Sequence, residues 1–326
     1  MTRLVYFSDI HLRNKNPINR IDDILETQFQ KLEWIFSYAS EIEAEGILFG
    51  GDLFHTPSVP DIVANRFIKL LKKHKLPFYF IIGNHDVVGG NADSRDYSKI
   101  GIISECDYAV HANKPIFLDS CVLVGYDFSK AMECPQVIDP IADFQLIDTP
   151  VLCMVHSMIT DEPSIKDGNI YRTIHWGEIQ INCDVLFCGH FHPGYPIRYS
   201  GLGGVPIVNC GAAIRQEASH TDLHRDPQIC VIKIKDKKVK LSFETIPHSK
   251  DVFDISKITS KQLKEDEKYK FVEALKQLKD QDTCGTSIVE KLKKISVDQF
   301  NKDSEDKIDQ TVIDKCVSKI EELISE

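Results

Sequence analysis

The sequence of 326 residues predicts an α/β fold. Short apolar runs recur over its first three quarters, segments with helical spacing separate the earliest of them, and a polar cluster of Asp, Asn or His follows each of five runs. The clearest run, Ile47-Leu48-Phe49-Gly50, stops at two glycines and presents Asp52 at its tip. In open α/β sheets, ligands bind beyond the carboxyl ends of the strands. Five such tips meeting at one edge would gather their side chains into a single metal-binding patch, with Asp52 at its centre.

Residues 3–8 read as the first strand, with Asp9-Ile10-His11 in the loop behind Leu4-Val5-Tyr6-Phe7. From about Asp22 to Glu45, apolar positions at Ile24, Leu25, Phe29, Leu32, Ile35, Phe36 and Ala39 keep helical spacing. Beyond the strand ending at Gly50, Ser58 and Asp61 offer capping oxygens and Pro60 a helix-start residue for a helix over Ile62–His74. Val63, Phe67, Leu70 and Leu71 share one side of that helix, and Lys72, Lys73 and Lys75 lie near its end, where the dipole favours cations. Phe78-Tyr79-Phe80-Ile81-Ile82 then leads into Gly83-Asn84-His85-Asp86. The beginning is therefore βαβαβ, with room for one crossover between successive tips.

Short strands follow over 109–126, then a weakly patterned connection over 127–149. The run Val151-Leu152-Cys153-Met154-Val155 precedes His156, and Val185-Leu186-Phe187-Cys188 precedes Gly189-His190-Phe191-His192. Between them lie a polar loop, 159–169, and a short segment, 170–182. Strands at 205–208, 228–234 and 239–245 close the region, the last two as a hairpin turning at Asp236-Lys237-Lys238. No repeat of fixed period is present.

Near Pro247 the composition shifts towards Lys, Asp, Glu and Gln, and 250–326 reads as short helices. The expected organisation is one domain over 1–247 followed by a helical region over 248–326. The last helix, about Thr311 to Ile324, carries Val312, Ile313, Cys316, Val317, Ile320, Leu323 and Ile324 on one face. Such a stripe either packs on its own domain or meets a partner.

Composition is that of a soluble globular protein, 42% hydrophobic and 27% charged. No apolar run is long enough to cross a bilayer and Met-Thr-Arg leads directly into a strand, so the expectation is a cytoplasmic protein without membrane attachment. The ten cysteines include no CxxC pair. Cys153, Cys188 and Cys230 fall inside expected strands, where a thiol acts as a small hydrophobe, which argues against a cysteine zinc site. A formal net charge of −10 gives no global attraction to nucleic acid. Any DNA contact must come from a local patch, a bound metal or a partner.

Taken singly, Asp9 with His11, or Gly83-Asn84-His85-Asp86, is also explained as a turn whose polar side chains bond nearby backbone. Their joint occurrence, in this order and each behind an apolar run, points to a site. The combination resembles the calcineurin-like metallophosphoesterase superfamily, whose pattern reads DxH, GDxx, GNHD/E, a single His and GHxH. Asp9-Ile10-His11, Gly51-Asp52, Gly83-Asn84-His85-Asp86, His156 and Gly189-His190-Phe191-His192 fill it, over roughly residues 1–247. The resemblance implies a two-sheet αββα sandwich of the metallo-dependent phosphatase type, here with a small C-terminal helical region. It also implies two divalent ions, one held by Asp9, His11, Asp52 and His192 and the other by Asp52, Asn84, His156 and His190, with Asp52 bridging.

The residue types suit that task on their own. Imidazoles mixed with carboxylate and amide oxygens favour manganese or iron, whereas an all-oxygen set favours magnesium and a thiolate set zinc. Manganese is the expected ion, with iron or magnesium as alternatives. Two such ions activate water and clamp a phosphate for in-line attack, so the expected reaction is phosphate-ester hydrolysis.

The extended form Gly51-Asp52-Leu53-Phe54-His55 is similar to the SbcD branch, the DNA repair and recombination nucleases that work with the coiled-coil ATPase SbcC. In that branch the His after the Phe, here His55, positions the phosphodiester, and the His of GNHD, here His85, stabilises the transition state or protonates the leaving oxygen. An imidazole suits such work. On the residues alone, His55 is also explained as a surface turn before Pro57.

The resemblance implies an exonuclease with endonuclease activity on DNA, docked on an SbcC-type ATPase through a C-terminal helix for which Thr311 to Ile324 is the candidate. Related nucleases often dimerise, so a homodimer is a further expectation. The pattern departs after Pro247, where the branch carries a strand-containing cap and this chain reads as short and helical, like phage-encoded recombination nucleases. Two alternatives stand beside this reading. A small-nucleotide phosphodiesterase or phosphatase suits the missing cap and acidic charge but not Leu53-Phe54-His55; an inactive protein-binding scaffold does not suit the intact ligands.

Three lesser candidates remain. Asn209-Cys210-Gly211 with Arg215 would bring backbone donors or a guanidinium to the phosphate, or form a plain turn. Lys233, Lys235, Lys237, Lys238 and Lys240 make a basic hairpin for a DNA backbone, or a solvated tip. His220 and His224 read as surface histidines.

Overall fold

Along β1 (Thr2–Phe7), Leu4 and Tyr6 point one way and Val5 and Phe7 the other, and all four are fully buried. A strand apolar on both faces must be covered on both, which places it at the centre of a layered structure. The computed structural model describes residues 1–254 apart from 18, 141–147, 163, 165–171, 202, 248 and 250, and shows two six-stranded sheets.

In the first sheet β1 is parallel to β2 (Gly46–Phe49), followed outward by β3 (Phe78–Phe80) and β4 (Ala109–His111), both also parallel. The crossovers are α1 (Ile24–Glu41), α2 (Asp61–His74) and the short α3 (Lys99–Ser104). From the first sheet the chain runs on through β5 (Ile116–Phe117), β6 (Val122–Tyr126), β7 (Val137–Ile138) and β8 (Val151–Ser157). Next come β9 (Ile159–Thr160), β10 (Ile174–His175), β11 (Gln180–Ile181) and β12 (Val185–His190). It closes with β13 (Tyr195–Tyr199), β14 (Pro206–Asn209), α4 (His220–His224), β15 (Gln228–Lys235) and β16 (Lys238–Thr245). The hairpin β15–β16 returns to the first sheet and pairs antiparallel with β1. The second sheet runs β13-β14-β12-β8-β6-β5, parallel in its middle and antiparallel at both edges.

The inner faces meet in one apolar layer: Leu4, Tyr6, Leu48 and Ile81 from the first sheet pack with Leu123, Leu152, Met154 and Phe187 from the second. Val5, Phe7, Phe49 and Phe80 face the other way, against Leu32, Ile35 and Phe36 of α1 and Val63, Phe67 and Leu71 of α2. On the outer face of the second sheet, Cys153, Val155, Leu186 and Ile207 are covered by Ile138, Ile159, Ile174 and Ile181. Among the described residues these covering side chains belong to the two-stranded pairs β7–β11 and β9–β10. The expected two-sheet sandwich is thus present, with α1 and α2 on one outer side.

Helix α1 is shorter than the spacing alone suggests: Asp23 caps its start by accepting from the Glu26 N–H at 3.1 Å, and it ends at Glu41, short of the expected Glu45. Helix α2 corrects the capping expected from Ser58 or Asp61: Pro60 is the N-cap, no side chain caps it, and Asp61 sits in the first turn, where its charge meets the dipole. The β15–β16 hairpin turns on Asp236 and Lys237, both at positive φ, as a two-residue turn requires. Lys237 at its tip is exposed and pairs with Asp148.

No helix among the described residues is long and apolar enough to cross a membrane. From residue 255 onward the region expected over 248–326, including the helix at Thr311 to Ile324, lies outside the described residues.

Candidate metal centre

The carboxyl ends of β1, β2 and β3 in one sheet, and of β8 and β12 in the other, carry the polar clusters. Asp9, His11, Asp52 and His190 all adopt positive φ (54°, 47°, 59° and 81°). Such backbone is costly for residues other than glycine, and its concentration at one place is a sign of a functional site. The loops are laced together: the Asp9 N–H donates to the Gly51 carbonyl and the His11 N–H to the Asp52 carbonyl, both at 3.0 Å. Gly51 itself has φ +94°, and at Gly83 a Cβ would lie 2.0 Å from Asp52 Oδ1, so both positions need glycine.

Two groups of side chains have ligand atoms close enough to share an ion: Asp9, His11, Asp52 and His192, and Asp52, His156 and His190. Within the first, His11 Nε2 is 3.5 Å from Asp52 Oδ2, 3.8 Å from Asp9 Oδ1 and 3.0 Å from His192 Nε2. Within the second, His156 Nε2 lies 3.3 Å from Asp52 Oδ2 and 3.1 Å from Asn84 Oδ1, which brings the amide into the set. The seven ligand positions named from the sequence therefore converge, and Asp52 belongs to both groups. A third group, His11, His55 and His85, shares His11 with the first.

These residues fit divalent cations. Asp9 and Asp52 are fully buried, and among the described residues the ion-pair contacts they make are to histidines, with no Lys or Arg. A buried carboxylate needs a cation or a full set of donors. Asp52 Oδ1 accepts from the His85 N–H at 2.9 Å, while Oδ2, the atom facing both groups, has no hydrogen-bond partner. His156 Nδ1 is hydrogen-bonded to the Gly50 carbonyl at 2.8 Å, which fixes its tautomer and leaves Nε2 as the ligand atom.

The electrostatics divide the imidazoles. Burial holds His11 well below its ordinary value, and burial together with the charge of His156 takes His190 down to about 3. Burial would also lower His156, but the Asp52 carboxylate outweighs it and raises the ring to about 9. Burial would raise Asp9, yet hydrogen bonding to His192 and the charges of His156 and His192 hold it at about 2. A cation bound at His156 Nε2 must displace its proton, so metal affinity and protonation are linked at that ring.

Three supporting residues have no simple signature in the sequence, and a fourth lies in a motif that assigned it no role. Gln28 on α1 donates from Nε2 to the carbonyls of Ile10 and His11, at 2.8 and 2.6 Å, and so clamps the Asp9–His11 loop. Phe128 closes against His156 and His190, with ring centroids 6.1 and 5.5 Å away. Arg13 contacts His55 Nε2. Asp86, part of the motif but without an expected role, is the knot of the β2 and β3 tips. Its Oδ2 accepts from the N–H groups of Asp52 and Gly83, both at 2.9 Å, and its Oδ1 from that of Phe54 at 2.8 Å. Burial and the Asp52 carboxylate nonetheless push Asp86 up to about 8. Asp86→Ala strands these three buried donors and is expected to cost on the order of 3 kcal/mol in denaturant unfolding, with Asp86→Asn costing less because one acceptor oxygen remains.

His55 and His85 lie on one flank of the centre. Their rings stack 5.6 Å apart at an interplanar angle of 20°, and His85 Nδ1 is 2.9 Å from the His55 carbonyl oxygen. Asn209 is buried, accepts from the Gly211 N–H at 2.8 Å and donates to the Phe191 carbonyl at 3.2 Å, so it braces the Gly189–His192 loop through its backbone. Arg215 departs from the placement expected for it. Its guanidinium donates to the carbonyls of Asp222 and Ser249 and lines a separate cavity beside α1, while Ala213, two residues earlier, is tied to the Ser8 carbonyl.

A family profile described as calcineurin-like phosphoesterase matches residues 2–194. Over 90 residues the chain is 36% identical to the DNA double-strand break repair protein Mre11 of Sulfurisphaera tokodaii, a stretch that spans 26% of this chain and 22% of that relative. Among solved structures, a dimetal phosphatase from Danio rerio aligns with 76% of this chain and 99% of its own, at 9% identity and a TM-score of 0.44. A structure described as a putative 5′-nucleotidase from Staphylococcus aureus aligns with 80% of this chain and 56% of its own, at 10% identity and a TM-score of 0.46.

Proposed function

The chain belongs to the calcineurin-like phosphoesterase family, and from that premise we propose that it is a metal-dependent DNA nuclease, hydrolysing phosphodiesters with two divalent ions, most naturally manganese. The observation that carries this reading is the flank formed by His55, His85 and Arg13. It extends the ligand cluster sideways and offers contacts to a phosphate that continues into a strand on both sides. The stretch of identity with a double-strand break repair protein supports the same substrate.

Divalent ions held by Asp9, His11, Asp52 and His192, and by Asp52, Asn84, His156 and His190, would supply Lewis acidity to the phosphate and a lowered pKa to the attacking water. The chain supplies the rest. Asp52 ties the two groups, and Asp86 and Gln28 hold the loops that present them. With Nδ1 engaged by the His55 carbonyl, His85 offers Nε2 as the atom that hands a proton to the leaving oxygen. Burial and the neighbouring Arg13 lower His55 to about 4, so at neutral pH it acts by hydrogen bonding and not by charge.

Labelled single- and double-stranded DNA, incubated with manganese or with chelator beside a generic phosphodiester dye, tests the substrate. The expected result is manganese-dependent cleavage of DNA, as exonuclease and endonuclease products. Cleavage of the dye without any cleavage of DNA, with the partner present as well as absent, rejects the nuclease. It would favour a small-nucleotide phosphodiesterase, the reading that the net charge of −10 supports. As part of the same proposal, the chain works with an SbcC-type coiled-coil ATPase through Thr311 to Ile324, and a pull-down with that segment deleted examines the contact.

A further inference from the structure

We propose that the cavity beside α1 is a second anion site, separate from the metal centre, that takes a phosphate-sized oxyanion. The cavity measures about 140 Å³ and is lined by Arg20, Asp22, Lys31, Arg215, Ser249 and Asp251 among others. Lys31 stands at the register of the buried stripe of α1, between Gln28 and Ile35, and is 4% exposed. Its Nζ has no hydrogen-bond partner. An ammonium buried without a partner is among the most costly groups a fold can hold, so such a group marks a place where a counter-charge belongs.

Asp22 opposes the charge of Lys31 from a distance, but no neighbouring carboxylate bonds to its Nζ. Asp22 is engaged by Arg20 through both Nε and Nη2 and also accepts from the Thr27 hydroxyl. Asp222 is taken by Arg225 and by the N–H groups of Gln216 and Glu217, and Asp251 is exposed. The bonds of Arg215 go to carbonyl oxygens, and its charge is opposed only at longer range, by Asp222 and Asp226. Burial and the charges of Arg215, Arg225 and Arg20 accordingly press the Lys31 ammonium down to about 7. An oxyanion seated against Lys31 and Arg215 supplies both the missing acceptors and the missing charge. A cavity of this size holds several waters at ~30 Å³ each, or one tetrahedral anion in their place.

The chemistry shared by free phosphate and the terminal phosphate of a strand is a tetrahedral oxyanion, and the test separates the two sources. Inorganic phosphate is titrated calorimetrically into the metal-loaded full chain, unsubstituted and as Lys31→Met, and crystals of the unsubstituted chain are soaked in selenate. The expected result is a class of phosphate sites that Lys31→Met weakens by about tenfold or more, the loss of one charge-assisted hydrogen bond. Selenium should lie within hydrogen-bond distance of Lys31 Nζ, a readout that does not depend on the variant folding. Competition by a 5′-phosphorylated dinucleotide but not its unphosphorylated form assigns the site to strand ends, and competition by neither assigns it to free phosphate. Equal phosphate binding by both chains, or selenium at the metal centre with only water beside Lys31, overturns the proposal.

Discussion

Asp52→Ala should leave the chain without measurable phosphoesterase turnover and deplete both ions at once. Asp52 is the one side chain shared by the two carboxylate-bearing groups, and its Oδ2 has neighbours in each: His11 Nε2 at 3.5 Å and His156 Nε2 at 3.3 Å. Removing it would take a ligand from each proposed ion and half of the charge that would draw them in, since Asp9 is the other carboxylate among the candidate ligands. The rate should fall by several orders of magnitude, towards the uncatalysed limit. Metal content by elemental analysis and dye turnover are the two measurements, with circular dichroism as the check on folding. Asp52→Asn is the informative companion: it keeps an acceptor for the His85 N–H, now 2.9 Å from Oδ1, but loses the charge. Retention of two tightly held ions by Asp52→Ala would remove the bridging role.

His85→Ala should behave differently, keeping both ions while losing roughly 10²- to 10⁴-fold in rate, the usual contribution of a positioned general acid. The distinction is a sharp one here because His85 also falls in a group with His11 and His55 whose nitrogens are close enough to hold a cation. If the ring is a proton donor, metal content stays and the rate falls. Substrates with a good leaving group, which need little protonation, should lose less than DNA. If elemental analysis instead shows loss of metal from His85→Ala, the ring is a ligand and the division of roles fails.

Much of this site could be read before any coordinates. The candidate ligand residues announce themselves because each follows a buried apolar run, and a strand tip in an α/β sheet is where functional side chains collect. What could not be read were the groups whose partners are distant in sequence and partly backbone. Gln28 looks like an ordinary helix residue until its amide is seen to reach the carbonyls of Ile10 and His11. Arg215 misled for the converse reason. Its nearness in sequence to the Gly189–His192 loop suggested the phosphate, whereas its guanidinium is held by the carbonyls of Asp222 and Ser249 in the cavity beside α1. Lys31 carried a signal that periodicity does expose, a cation at the spacing of a buried stripe, but stripes are usually read for their apolar members. Five strands of the second sheet were legible, while its edge strand β13, where Pro196 and Arg198 interrupt the apolar run, and the short pairs over the sheet were not, since two-residue strands leave no alternation to detect.

Asp9, His11, Asp52 and Asn84 follow strands of one sheet, and His156, His190 and His192 lie at the ends of strands of the other. Cations bound there would thus act as a rivet through the seam of the sandwich. Sliding one sheet along the other by a single residue, ~3.3 Å, would pull both ligand sets apart. Occupancy of the centre and the alignment of the two halves of the fold are, on this geometry, one and the same equilibrium.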